Sequence, residues 1–244
     1  MDRDRYVPFT TVFNFRDLGG YPTADGARLR TGVLFRADGL HRLTGPDLDR
    51  FAGLDVRRVI DLRRTDEVHS YGRIPDRPGL DYHNVCLQAA PWTATDVAPG
   101  ELAGYLAERY AEIADEAVSG AMARVLRLLA EDTTGGTVFH CMAGKDRTGV
   151  VAAVVLALLG VDDDTVADDY AASRFSERRY LAWRATVAPD SPVPPSSDPA
   201  PAAAMLAFLR GLRDRYGSVA GYADAAGFGP PDRARLRTRL LSPA

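Results

Sequence analysis

The chain has 244 residues, 46% of them hydrophobic, which is enough apolar side chain for a full core and excludes wholesale disorder. Its 30 basic and 33 acidic residues nearly cancel, so no general charge argument points to nucleic acid or a membrane surface. Cys86 and Cys141 are too few for a disulfide framework, no apolar leader follows Met1, and the apolar run over 150–159 is too short to span a bilayer. The expectation is a soluble, cytoplasmic protein without stable membrane insertion, with secretion lacking a signal peptide left open. The length suits one domain of up to about 250 residues. Among the 30 basic residues a single one, Lys145, is lysine. A chain that uses arginine elsewhere marks Lys145 as a place where a compact ammonium is wanted.

In chain order, residues 12–21 read as extended chain entering the Gly19-Gly20 turn. Residues 33–36 form a short strand, and Thr44-Gly45-Pro46-Asp47 opens a helix to about Leu54, with Thr44 as its cap. A β-rich run over 56–62 ends in Asp61-Leu62-Arg63-Arg64, and 82–87 is a further strand holding Cys86. Over 100–130, Leu102, Leu106, Tyr110, Ile113, Val125, Leu128 and Leu129 recur at helical spacing, with Gly120 dividing two helices. Thr137-Val138-Phe139 is a buried strand, and a helix runs from about Thr148 to Leu159. Helices follow over 164–187 and 201–216, separated by a proline-rich surface loop at 188–199, and two short helices flank residues 227–231. Strands alternating with helices define an α/β layer architecture.

The chemistry concentrates in His140-Cys141-Met142-Ala143-Gly144-Lys145-Asp146-Arg147-Thr148-Gly149. A cysteine, five residues and an arginine stand between a buried strand and an apolar helix. A loop closing on a helix N-terminus aims successive N–H groups into one concavity that suits a phosphate dianion. Met142, Ala143, Gly144, Lys145, Asp146, Arg147 and Thr148 would bind the phosphate, with the Arg147 fork on two of its oxygens. Such surroundings lower a thiol from ~8.5 to between ~3.5 and ~7.5, so Cys141 would be ionised and attack phosphorus in line. Thr148 would stabilise the departing thiolate, and His140 would orient the loop. The nucleotide-binding phosphate loop does not fit, because Phe139 stands where its first glycine belongs and Asp146 follows Lys145.

Residues 140–149 resemble the signature loop of cysteine-based tyrosine phosphatases. The Gly-Lys-Asp-Arg-Thr-Gly form is similar to the atypical bacterial tyrosine/serine-protein phosphatase family, some of whose members act on phosphoinositides. Asn14-Phe15-Arg16-Asp17-Leu18-Gly19-Gly20, Leu34-Phe35-Arg36-Ala37-Asp38, Val59-Ile60-Asp61-Leu62-Arg63 and residues 216–222 carry the resemblance along nearly the whole chain. It implies an α/β fold with a mostly parallel central sheet flanked by helices, and a thiol-phosphate intermediate with no metal or cofactor. It also implies one catalytic domain over 1–244 with a helical, lid-like insertion around 162–205. The expected activity is hydrolysis of phosphotyrosine, with dual specificity toward phosphoserine or phosphothreonine left open; a phosphoinositide phosphatase and a weakly active phospho-binding module are the alternatives. The tripeptide Trp-Pro-Asp, which carries the general acid in better-known tyrosine phosphatases, is absent; Pro91-Trp92 is reversed, with Asp96 beyond it. Asp146 is the favoured acid, with Asp61 and Asp96 as rivals.

Asp61 and Arg63 leave a strand end, the edge where open α/β sheets carry ligands, so Arg63 could meet substrate charge. Arg64 reads equally as a surface partner of Asp66 or Glu67. Asp17, with Arg16, is assigned to the Gly-Gly turn rather than to bracing the loop. The acids at 162–164 and 168–169 lack a calcium-loop pattern and suit a helix N-terminus. Arg174, Arg178, Arg179 and Arg184, interleaved with Phe175, Tyr180 and Trp183, fit either a mobile lid or an ordinary amphipathic helix.

Overall fold

The computed structural model describes residues 5–92, 97–98, 100–187 and 200–243. Asp96 and the proline-rich stretch at 188–199 lie outside them. The strands are β1 (Arg16–Asp17), β2 (Arg28–Leu29), β3 (Leu34–Ala37), β4 (Val56–Asp61), β5 (Asp81–Asn84), β6 (Gly136–His140) and β7 (Leu241–Ser242). The helices are α1 (Pro46–Gly53), α2 (Thr65–Tyr71), α3 (Leu102–Ala117), α4 (Ala121–Ala130), α5 (Asp146–Leu159), α6 (Asp163–Ala171), α7 (Ser173–Val187), α8 (Ala202–Tyr216), α9 (Val219–Ala225) and α10 (Pro230–Leu240).

The main sheet has the order β1-β3-β6-β4-β5. β3, β6, β4 and β5 run parallel, and only β1 is antiparallel to its neighbour. This is the expected α/β fold. Alternation along the central strands sorts the core into two layers. Ile60 of β4 and its register partner Phe139 of β6 face the larger layer, built with α3, α4, α5, α6, α8, α9 and α10. Val59 and its partner Val138 face the smaller one, with Phe15, Phe35 and Phe51. A parallel sheet covered on both faces needs such near-continuous apolar strands.

α5 follows the central strand directly. Its residues from Arg147 to Leu156 are buried without a break, as a helix apolar on all sides must be. It ends at Gly160, whose φ of 89° is the left-handed cap that glycine tolerates best. The loop between β6 and α5 therefore stands at the centre of the sheet's carboxyl edge, flanked by the ends of β3 and β4.

Several sequence expectations need correction. Thr44 does not cap α1; Gly45 holds that position, while Asp47 of the first turn accepts from the amide and hydroxyl of Thr10 at 2.9 and 2.7 Å. Cys86 lies past the end of β5 and is exposed, because the strand stops at Asn84. The helix over 164–187 is broken into α6 and α7. α2 carries no long periodic signal; Glu67 accepts from the Arg64 amide at 2.9 Å and so nucleates its first turn. The division at Gly120, by contrast, stands where the periodicity places it, with φ at 128°.

Replacing Leu156 by Ala should cut a hole in the enclosed helix and cost about 2–5 kcal/mol. Urea unfolding checks this as a lower midpoint with an unchanged slope.

Candidate active site

The loop is held by its carbonyls. His140 O accepts from Leu62 N at 2.8 Å, and Met142 O from Gly39 N at 3.0 Å. Asn14 Nδ2 donates to the carbonyls of Ala143 and Gly144 at 3.1 and 3.0 Å. An Arg36 amino group donates to Gly144 O at 2.8 Å, and Gly149 N closes on Lys145 O at 2.7 Å. Each of these bonds occupies the carbonyl side of a peptide plane in or beside the loop. Among the described residues, none of the amides of Met142, Ala143, Gly144 or Lys145 donates a hydrogen bond. Gly144 makes the turn possible: its φ is 67°, and a Cβ there would lie 2.4 Å from Ala37 O.

Asn14 and Arg36 are themselves fixed by one buried carboxylate. Asp169 takes Arg16 Nε at 2.9 Å on one oxygen and Arg36 at 2.6 Å on the other, and all three side chains are essentially inaccessible. Arg16 also donates to the Asn14 side-chain oxygen. Burial opposes the Asp169 charge, but Arg16 and Arg36 outweigh it and bring its pKa down to about 2. Arg16 thus belongs to the brace, contrary to its assignment to the turn. Asp17 does serve the turn, accepting from Gly19 N at 2.7 Å and Gly32 N at 2.6 Å.

Cys141 is buried just past the end of β6, and Arg147 is the second residue of α5, in its first turn. Arg147 grips Glu67 with both terminal nitrogens, at 2.5 and 3.0 Å. Burial works against its charge, yet the hydrogen bonds to Glu67 and the proximity of Cys141 raise its pKa above the ordinary arginine value. A guanidinium has five N–H donors, so this clamp fixes its plane and leaves donors for another anion. Thr148 is fully buried, and its hydroxyl has no hydrogen-bond partner among the described residues.

Below the loop, His140 Nδ1 lies 3.0 Å from Cys141 O, so that nitrogen carries the proton. Burial lowers the His140 pKa, against the pull of the Asp61 charge. Asp61 Oδ2 stands 3.7 Å from His140 Nε2. Arg63 forks onto Asp61 at 2.9 and 2.6 Å and donates to Gly72 O at 2.9 Å. Burial would raise the Asp61 pKa, but His140, Arg63 and the Tyr82 hydroxyl bring it to about 2. Both Asp61 and Arg63 are fully inaccessible and turned inward. Arg63 therefore does not meet ligand charge as its strand-end position suggested; the Asp61–Arg63 pair supports the loop from beneath.

A cleft of about 260 Å³ opens above the loop, lined among others by Phe13, Arg42, Met142, Lys145, Asp146 and Tyr180. α7 supplies one wall through Ser173, Ser176, Glu177 and Tyr180. Tyr180 and Trp183 pack on Phe13, with ring centroids 6.1 and 5.7 Å away. Asp146 stands at the rim, where the Tyr110 hydroxyl donates to its Oδ1 at 2.8 Å. The acidic run has other employment. Asp162 caps α6 through Thr165 N at 2.9 Å, and Asp163 pairs with Arg213 at 2.6 Å.

Sequence reasoning missed three contributors. Glu67 read as a possible surface partner for Arg64, Asp169 as one more acid near a helix start, and Tyr110 as a core ring. Arg16, Asn14 and Arg36 at least stood inside the recurring motifs.

Fold and loop together define an α/β protein whose central strand leads into a loop carrying Cys141, Arg147 and four amides that donate no hydrogen bond among the described residues. The chain belongs to the tyrosine phosphatase family, whose model matches residues 7–242. Its members are hydrolases of phosphomonoesters. It is 30% identical to the triple specificity protein phosphatase PtpB of Mycobacterium tuberculosis, covering 94% of this chain and 97% of that one. A tyrosine-protein phosphatase of Nostoc commune is 27% identical over 90% of this chain and 78% of its own.

The two depressed carboxylates set an acid limit. Asp61 and Asp169 titrate at about 2 when folded and at ~3.9 when unfolded, so the unfolded chain takes up protons first. Their stabilisation should be complete above about pH 4 and should fade as pH falls toward 2. Thermal unfolding at stepped pH checks this, and Asp169→Asn should flatten the acid limb while lowering stability by about 3–5 kcal/mol, as breaking a buried pair does.

Proposed function

We propose that this phosphatase hydrolyses phosphotyrosine, with phosphoserine and phosphothreonine as further substrates, through a phosphocysteine intermediate. The observation that carries the reading is the set of undonated amides from Met142 to Lys145 beside the oriented Arg147 fork. Four amides and a guanidinium fit the equatorial oxygens of a phosphoryl group in transfer, whose charge must be held throughout the displacement. Cys141 sulfur attacks phosphorus, the S–P bond forms, and the bond to the leaving oxygen breaks as Asp146 protonates it. In the second step water loses a proton to Asp146 and attacks phosphorus. The S–P bond breaks, and the Thr148 hydroxyl, which has no partner among the described residues, donates to the leaving sulfur.

Asp146 is preferred over Asp61 on position. Asp146 lines the cleft, whereas Asp61 is sealed beneath the loop by Arg63 and Tyr82. The whole chain acts as one catalytic domain; of the segment around 162–205, α7 serves as the lid, supported by its side chains in the cleft wall, while α6 is packed into the core and holds Asp169. No nucleic acid or stable membrane insertion is part of the reading, and the cytoplasm is the proposed compartment. No described helix is long and apolar enough to cross a membrane.

A second substrate class is favoured by one observation. Arg42 and Lys145 both line the cleft, beside Asp38, Asp146 and Glu177, so two cations besides Arg147 stand within reach of a bound ligand. A phosphoinositide headgroup with several phosphates would use them. Initial rates on phosphotyrosyl, phosphoseryl and phosphothreonyl peptides and on phosphoinositides in mixed micelles separate the two readings.

Cys141→Ser should abolish turnover while vanadate still binds, since serine is a far weaker nucleophile and the amide nest remains. Substantial activity in that variant refutes the covalent route. Arg147→Lys should lower kcat more than it weakens binding, because an ammonium cannot hold the planar fork through the transition state. Steady-state kinetics check it, and a near-normal kcat removes Arg147 from the role. Activity should survive chelators, and peroxide should stop it reversibly by oxidising the Cys141 sulfur.

A further inference from the structure

Asp146 has one oxygen already engaged. The Tyr110 hydroxyl donates to Oδ1 at 2.8 Å, and Lys145 Nζ lies 3.8 Å from the same oxygen. Among the described residues, none donates to Oδ2. Tyr110 comes from α3 and is fully buried, with its ring packed against Trp92, Tyr170 and Phe208. Its hydroxyl cannot swing away without disturbing the core. Burial first, then the Asp146 charge and the Tyr170 hydroxyl, push the Tyr110 pKa well above the ordinary value, so it remains a donor at neutral pH.

Behind it, the Tyr170 hydroxyl lies 2.5 Å from the Tyr110 hydroxyl. Each hydroxyl has a single proton. With the Tyr110 proton directed at Asp146, the one between the two tyrosines belongs to Tyr170. Donation runs in one direction, from Tyr170 to Tyr110 to Asp146 Oδ1.

We propose that Tyr110, backed by Tyr170, is a positioning residue that divides the work of the Asp146 carboxyl: Oδ1 is a fixed acceptor, and Oδ2 carries the catalytic proton. The inference rests on Asp146 being the general acid. A proton on Oδ1 would confront the Tyr110 proton across 2.8 Å and could be relieved only by reversing both hydroxyls. A proton on Oδ2 leaves the chain undisturbed. In the first step that proton passes from Oδ2 to the leaving oxygen as the P–O bond breaks. In the second, a water proton returns to Oδ2 as the new O–P bond forms and the S–P bond breaks. The Tyr110 proton stays on its oxygen throughout, so the carboxyl serves as acid and then base without turning.

The test is a series of aryl phosphates of graded leaving-group acidity, run on the wild type, Asp146→Asn, Tyr110→Phe, Tyr170→Phe and the Tyr110→Phe/Asp146→Asn double variant. Tyr110→Phe should lower kcat on poor leaving groups by about tenfold, the scale of one lost hydrogen bond to a charged group, with good leaving groups and KM little changed. In the Asp146→Asn background the same substitution should add nothing. Tyr170→Phe should steepen the dependence in the same direction by less, and it supplies the answer if Tyr110→Phe does not fold. If Asp146→Asn steepens the dependence while both tyrosine variants leave its slope unaltered, or if the losses add in the double variant, the positioning role is overturned. If Asp146→Asn itself leaves the slope unaltered, the reading of Asp146 fails and this inference falls with it.

Discussion

An anion nest is a loop of amides that the protein declines to satisfy. Burying such donors is costly, and most buried backbone groups are paired for that reason. The loop after β6 resolves the conflict by over-satisfying the opposite side of each peptide plane. Asn14, Arg36 and Gly39 hold the carbonyls, and the amides from Met142 to Lys145 are left without a partner among the described residues, free for the anion the proposed reading places there. Asp169 is the keystone of that arrangement. It neutralises part of the charge on two buried arginines and fixes the pose of both. Without it, Arg16 and Arg36 would face each other in a dry interior, and the Arg36 bond to Gly144 O would lose its support.

The second constraint acts on arginine geometry. Arg147 projects from a helix enclosed in the core, and Glu67, from the short helix α2 that follows β4, holds its plane. Burial weakens both charges separately, and each is kept by the other. Glu67 has its pKa lowered despite burial, through Arg147 and the Arg64 amide. This is a buried pair used for orientation, which is the role in which such pairs are best supported.

How far the sequence was legible follows from the range of each signal. Cys141, Arg147 and the strand–loop–helix around them are contiguous, so a local pattern suffices to find them. Val56–Asp61 and Gly136–His140 are apolar and β-branched enough to read as strands, and Gly120 breaks its helix where periodicity says it should. The supports are of another kind. Glu67 is 80 residues from Arg147 and Asp169 is 133 from Arg36, so no spacing rule connects them. Asp169 also sits in an acid-rich run, where its neighbour Asp163 has an ordinary surface partner, and composition cannot tell the two apart. Arg63 failed for a related reason. A strand end points at the ligand edge in general, but the side chain there turned back onto Asp61, two residues before it.

The uninterrupted burial of α5 divides the molecule mechanically. Displacing the helix that bears Arg147 would open the larger core, a motion at the high end of the protein's opening energies. α7 is different, since it leaves Phe175 and Val187 exposed while Ser176 and Tyr180 reach the cleft. On the proposed reading, reaction chemistry and ligand admission are written on separate pieces of chain. Mutational drift along α7 can alter what enters without touching what reacts, and a lineage built this way can change its diet while keeping its teeth.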